Sequence, residues 1–112
     1  MPNPTNLADL ATYLERETGI ETVLWAWSHA PGGADYMVVT QDQDATFYAA
    51  EGNAERAQRG FVDVFTRSDG FAVKNTVEAA LKESGWQWFH RSVQFEQETG
   101  LVHHDWGVAW LG

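Results

Sequence analysis

Histidine and aspartate side chains are the groups of this sequence with the clearest capacity for chemistry. His103, His104 and Asp105 are consecutive in a segment that is typical of a strand, so His103 and Asp105 should share one face and His104 the other. His90, on the preceding predicted strand, is a candidate third group for a metal site or a small catalytic site. Zinc sites need three or four converging ligands, and the same alternation is typical of an ordinary polar face. We therefore predict no metal ligands and no catalytic residues here.

Other constellations are weaker. Glu96 and Glu98 flank a tight turn and have the residue types of an acid–base pair, but nothing in the sequence buries them or fixes their separation. His90 and Ser92 place an imidazole near a hydroxyl without the Gly-x-Ser-x-Gly turn of hydrolases. Phosphate-binding glycine patterns are also absent. The sequence thus predicts a protein that is not an enzyme and that has no cofactor.

Composition excludes several classes of partner. The 112 residues include 16 acidic and 7 basic side chains, a net charge of −9, which argues against tight nucleic-acid binding and against an anionic membrane surface. No apolar run approaches the roughly 18 residues of a membrane span. The absence of cysteine excludes disulfides and thiolate metal sites. The length predicts a single domain, residues 1–112, with residues 1–5 as a flexible arm.

Hydrophobic periodicity predicts an α+β fold. Apolar residues recur at helical spacing in residues 6–18 and 71–84 and follow strand patterns elsewhere, with glycines at the breaks. The predicted strands cover residues 21–29, 36–40, 46–50, 56–67, 86–96 and 101–111. The order α-β-β-β-β-α-β-β favours an antiparallel sheet with both helices packed on it.

Tryptophan is concentrated in the last predicted hairpin, at Trp86, Trp88, Trp106 and Trp110. Trp106, Val108 and Trp110 share a strand face and are expected to be core residues facing the second helix. An alternative interpretation is that one row of rings forms a contact platform, for another subunit or for a carbohydrate.

Asp63 lies among apolar residues on the predicted strand 56–67. A buried carboxylate needs a partner, and an arginine would supply one, within the subunit or across an interface. The candidate subunit-interface residues are Asp63, its possible partners Arg59, Arg67 and Arg91, and the tryptophans Trp86 and Trp88.

The succession of elements from about Tyr36 onward resembles a known family. The segments RGFVDVFTR (59–67), VKNTVEAALKESG (73–85), WQWFHRSVQFEQETGL (86–101) and HHDWGVAWL (103–111) are similar in pattern to the tail-terminator, or tail-completion, proteins of long-tailed bacteriophages and to related head–tail joining proteins. The similarity is one of pattern, without an invariant catalytic signature.

The resemblance implies a virion structural protein with a curved antiparallel sheet. Subunits of this family form a ring, typically of six copies, that caps the tail tube and offers a surface to the head connector. Expected partners are therefore other copies of this chain, the tail tube protein and the connector, with no metal, cofactor or membrane. The implied location is the virion tail or neck, and the host cytoplasm during assembly. The alternative is a small carbohydrate-type binding module that uses the Trp-rich hairpin.

Overall fold

The computed structural model describes residues 3–24, 35–42, 58–67 and 70–110, which form two helices and a five-stranded sheet. The elements are α1 (Leu7–Thr18), β1 (Glu21–Leu24), β2 (Tyr36–Gln41), β3 (Gln58–Thr66), α2 (Gly70–Glu83), β4 (Gln87–Glu96) and β5 (Leu101–Trp110). The predicted α+β class is confirmed. The predicted strand 46–50 and the second half of the predicted strand 21–29 lie outside the described residues.

The sheet has the strand order β1-β2-β3-β5-β4 and is open rather than closed. The pairs β2–β3, β3–β5 and β5–β4 are antiparallel, but β1 runs parallel to β2, with Glu21 opposite Tyr36. The prediction of a wholly antiparallel sheet was therefore wrong at this edge. Side-chain alternation reports which face a residue occupies, whereas strand direction depends on the path of the connecting chain.

Helix α1 forms because its sequence supplies a cap, an apolar stripe and a stop. The Asn6 side chain accepts a hydrogen bond of 2.8 Å from the backbone N–H of Asp9, which satisfies one of the free donors at the helix start. Leu10 and Leu14 are completely buried on one face. Gly19 then adopts a left-handed conformation with φ of 73°, which ends the helix.

Both helices lie on the same face of the sheet. Helix α1 packs over β1, β2 and β3, and α2 packs over β5 and β4. Val77 and Leu81 of α2 are fully buried, and the Tyr13 hydroxyl of α1 donates a hydrogen bond of 2.7 Å to the carbonyl oxygen of Ala80. Neither of these two described helices is long and apolar enough to cross a membrane.

The central strands alternate in a register that sends one set of side chains toward the helices. Val62 lies opposite Trp106, and Val64 lies opposite His104. All four side chains are buried, as is Val108. The prediction that Trp106 and Val108 belong to the core beneath the second helix is confirmed.

The N-terminal segment is attached to this core. Pro4 is buried, and its carbonyl oxygen accepts a hydrogen bond of 2.8 Å from the indole N–H of Trp86. Trp86 is itself 4% exposed and precedes β4. Residues 1–5 were expected to form a flexible arm. Pro4, in the described part of this segment, is instead attached to the domain.

Gly60 is required where β3 crosses beneath α1. A methyl group on Gly60 would approach the Thr40 carbonyl oxygen to 2.2 Å and a Leu7 methyl to 2.9 Å. We expect Gly60→Ala to lower the free energy of unfolding by about 1–3 kcal/mol, the usual cost of overpacking, in urea titrations followed by tryptophan fluorescence. Gly70→Ala is the milder comparison, because its methyl would meet side-chain atoms rather than backbone, at 3.1 Å from Val102 and 3.5 Å from Nε2 of His104. Equal losses in the two variants would contradict this account.

Candidate functional site

The β4–β5 hairpin distributes its titratable groups over two faces of the sheet. We call the face that carries α1 and α2 the helix-side face and the opposite one the open face. His103 and Asp105 lie on the open face, as predicted, whereas His90 lies on the helix-side face opposite Trp106. His90 therefore cannot converge with the other two. Within the described ranges, no group of three or more His, Asp or Glu side chains is placed to hold a metal ion.

Asp63 finds its partner on the open face in a histidine. The Asp63 carboxylate accepts a hydrogen bond of 2.7 Å from Nε2 of His103 on the adjacent strand. The imidazole also stacks on Phe65 at a centroid distance of 4.2 Å, and Phe65 stacks on Tyr36 at 4.7 Å. A polar pair is thus supported by a row of stacked rings that runs across three strands.

This contact changes the acidity of the imidazole. The hydrogen bond to Asp63 is the largest influence and raises the pKa of His103, while partial burial opposes it. The negative charges of Asp63, Glu96 and Asp105 raise the pKa further. The protonated form of His103 is therefore the form that this face stabilises.

The predicted arginine partners lie elsewhere. Asp63 forms no hydrogen bond with Arg59, Arg67 or Arg91 among the contacts of the described residues. Nη1 of Arg67 donates to the carbonyl oxygen of Thr99 at 2.9 Å. The ion pair expected for Asp63 is accordingly replaced by a pair with histidine. The register of β5 on β3 brings His103 to Asp63, and the sequence pattern does not show this register.

Arg91 belongs to a separate pair on the same face. Its Nε lies 3.7 Å from Asp105 Oδ2, and its guanidinium lies 4.3 Å from the centre of the Phe61 ring. The other carboxylate oxygen of Asp105 is buried without a hydrogen bond in the described structure. Burial is the main cause that raises the pKa of Asp105, with the charge of Asp63 adding to it.

The two glutamates at the hairpin turn do not form an acid–base pair. Glu96 accepts a hydrogen bond from the Thr99 hydroxyl at 3.2 Å and lies 4.0 Å from Nδ1 of His103. Glu98 is exposed in the turn. Neither side chain sits in the water-excluding environment that general acid–base catalysis uses.

A shallow trough of about 350 Å³ opens beside these pairs. Phe61 and Phe89 line its sides, Gly107 and Ala109 lie between them, and Arg59 lines it as well. Gly107 leaves room for the Phe89 ring, because a methyl group there would lie 2.6 Å from that ring.

The helix-side face holds a different histidine pair. Nε2 of His104 lies 3.0 Å from the carbonyl oxygen of Gly70, so this nitrogen must carry the proton and donate. Nδ1 of the same ring is then an acceptor, and it takes a hydrogen bond from Nε2 of His90 at 3.0 Å. The chain of bonds ties β4 and β5 to the first residue of α2. In the neutral ring of His104 the proton therefore lies on Nε2.

The environment of His104 favours that neutral state. Burial is the largest cause that lowers its pKa, and the neighbouring His90 adds to the effect. Trp106, next on this face, donates from its indole N–H to Glu78 at 2.9 Å, and Lys74 lies 3.1 Å from the same carboxylate. Burial, the largest single influence, would raise the pKa of Glu78, but the two hydrogen bonds and the charges of Lys74 and His90 together lower it.

An apolar socket opens between the start of α2 and strands β4 and β5. Its volume is about 330 Å³, and it is lined by Gly70, Phe71, Lys74, His90, Val93, Val102 and His104. Phe71 is 79% exposed and Val93 is 55% exposed. Phe95, two residues further along β4, is 64% exposed. Because β4 is the last strand of the described sheet, this apolar surface lies at an edge.

A β-bulge at Arg91 determines which side chains reach this surface. Strict alternation would place Val93 and Phe95 on the same face as Phe89. The pairing with β5 shifts between His90 and Ser92, so Val93 and Phe95 lie on the helix-side face instead. Sequence reasoning missed this patch. The available signal was a change of phase, since Trp86 and Trp88 before Arg91 are at even positions whereas Val93 and Phe95 after it are at odd ones.

The tryptophans of the hairpin are mostly core residues. Trp86 and Trp106 are buried, and Trp88 and Trp110 are partly buried and pack against the core cluster. The alternative of an exposed row of rings therefore has no support from these four side chains. Trp86, one of the candidate interface residues, lies inside the subunit.

A scan of protein-family models and a search of curated proteins both find no match to this chain. Function is therefore inferred from the surfaces and pairs described above.

The raised pKa of His103 predicts a stabilising contribution that is strongest at low pH. The contribution should be complete below the unfolded pKa of 6.5 and should disappear as pH rises through the higher folded value. Replacing His103 by Gln should therefore cost most stability below about pH 6 and least at alkaline pH, in urea unfolding followed over a pH series. A pH-independent loss would contradict the proposed role of the Asp63 pair.

His104 should behave in the opposite way. Its folded pKa is lowered, so its contribution is present above 6.5 and is lost as pH falls through the folded value. His104→Gln should cost most stability near neutral and alkaline pH in the same assay. If the loss of stability followed pH in the same way in both variants, the two faces would not shift the histidine pKa values in opposite directions.

Proposed function

We propose that this protein is a structural subunit of a bacteriophage virion, a tail terminator or tail-completion protein that forms a ring, caps the tail tube and joins it to the head connector. The observation that supports this proposal is the outer edge of β4, a strand of ten residues with exposed apolar side chains that pairs with no further strand among the described residues. A monomer normally protects such an edge with charges, proline or a covering segment.

The two outermost strands of the described sheet suit a ring. Among the described strands, β1 and β4 are the outermost ones and differ in sequence and length. A contact between two different patches is heterologous, and repeated copies of it give a closed ring when the rotation between subunits closes. We therefore propose that the edges of the sheet at β1 and β4, rather than the buried Trp86, form the subunit interface.

The net charge of −9 also suits a ring through which DNA passes. A ring at the neck has to let DNA through its lumen, and a strongly acidic subunit repels phosphate groups rather than binding them. The cationic groups on the open face are partly neutralised, since Arg91 lies beside Asp105.

The carbohydrate-type module is the alternative function. It would require indole rings that are free to stack on a sugar. Burial of Trp86 and Trp106, and the packing of Trp88 and Trp110 against the core, favour the assembly role over this alternative.

The edge can be tested with a charged substitution. Phe95→Lys should abolish ring formation, because a lysine on an edge strand opposes strand addition and removes an exposed apolar contact. Sedimentation velocity should show a ring for the natural chain and a monomer for the variant, and only the natural chain should stop polymerisation of purified tail tube protein. Asn75→Lys adds the same charge on the exposed surface of α2 and should leave both properties unchanged. A natural chain that stays monomeric and does not affect tube length would overturn the proposal.

A further inference from the structure

Exposed apolar side chains are not scattered over this protein. The large hydrophobic side chains exposed in the described residues are Leu24, Phe71, Phe89, Val93 and Phe95. Leu24 ends β1 at one edge of the sheet. Phe71 and Val93 line the socket at the opposite edge, and Phe95 lies beside it on the same face of β4.

The apolar residues at the two edges also share a face. Leu24 lies beside Val39, which is buried beneath the helices, so Leu24 is on the helix-side face. Val93 lies beside His104, which is on that face too. When one sheet continues into another, residues of the same face stay on the same side.

We propose that strand β1 of one copy adds to the outer edge of β4 in a second copy and that Leu24 of the first copy covers the socket of the second. This inference rests on the proposed ring and names its contact. The apolar β4 edge of each subunit is then covered by Leu24 on the β1 edge of its neighbour.

The local geometry of β4 suits this addition. Residues 92–96 follow the bulge and pair regularly with β5, which leaves a regular outer edge of five residues. The described part of β1 has four residues, which can pair with four of these five. The segment carries Val93, which lines the socket, and Phe95, which lies on the same face two residues further along β4.

Charge favours a second copy at this place. The chain carries −9 overall, so two copies repel each other wherever their acidic surfaces meet. Strand β4 has only Arg91 and Glu96 as formally charged residues, and they are of opposite sign. The cation at the socket, Lys74, is already paired with Glu78 at 3.1 Å. The edge is thus a nearly neutral strip on an acidic protein.

The area is also of the right order. Phe71, Val93 and Phe95 together expose roughly 400 Å² of side chain, about half of the 800 Å² that each partner of a standard interface buries. The added strand backbone and its flanking side chains would supply the remainder.

Disulfide cross-linking tests the contact directly, because the natural chain has no cysteine. Leu24→Cys and Val93→Cys chains are prepared separately, mixed and oxidised, and dimers are counted on non-reducing gels. Neighbouring strands bring paired residues within disulfide distance, so the mixture should give about tenfold more cross-linked dimer than a mixture of Leu24→Cys with Asn75→Cys. Leu24→Cys with Phe95→Cys samples the neighbouring register.

The double variant Leu24→Cys/Val93→Cys should give a ladder of oligomers that ends at a closed ring. The Val93→Cys chain oxidised alone is a further control. If it gave as much cross-linked dimer as the mixture of Leu24→Cys with Val93→Cys, the contact would be a symmetric one between two β4 strands and the proposal would be overturned. The absence of a cross-link in both registers would overturn it as well. Rings that persist in sedimentation without either cross-link would reject this contact while leaving the proposed function intact.

Discussion

The size of the helices relative to the sheet is the constraint on which the rest of this structure depends. Twelve and fourteen helical residues span about 18 and 21 Å, whereas a strand of ten residues spans about 33 Å. Two helices side by side therefore cover only part of one face. Where they reach, Trp106 and Val62 are completely buried. Where α2 begins, near Val102, the coverage ends, and the apolar residues beyond it on β4 stay exposed. The limited length of the helices therefore determines which residues of the sheet form the core and which remain exposed at the proposed contact surface.

The two faces of the sheet treat neighbouring histidines in opposite ways. His103 meets a carboxylate, so its protonated form is stabilised and its pKa rises. His104 meets a carbonyl oxygen and a second imidazole in a buried setting, so its neutral form is stabilised and its pKa falls. Consecutive residues of one strand thus differ because the backbone sends them to different surroundings. Both pairs join segments far apart in the chain and contribute to holding β3, β4 and the start of α2 in place.

Acidity and apolar edges act together in the proposed ring. A protein with a net charge of −9 resists loose association, because most approaches bring like charges together. The edge of β4 is nearly neutral and rich in apolar side chains, so it is the place where repulsion is weakest and burial most favourable. Specific contact at the edges and general repulsion elsewhere would restrict assembly to one geometry.

The features that depend on local periodicity could be predicted from the residues alone. Helical spacing placed Leu10 in the core, alternation placed Trp106 there, and the two helices and most strands were predicted near their observed positions. Only the tertiary structure decided that β1 runs parallel to β2 and that Asp63 pairs with His103 rather than with an arginine. It also decided that a bulge turns Phe95 to the helix-side face. Periodicity reports the face of a residue within one element, whereas strand direction, register and partners are set by contacts between segments that are distant in the chain.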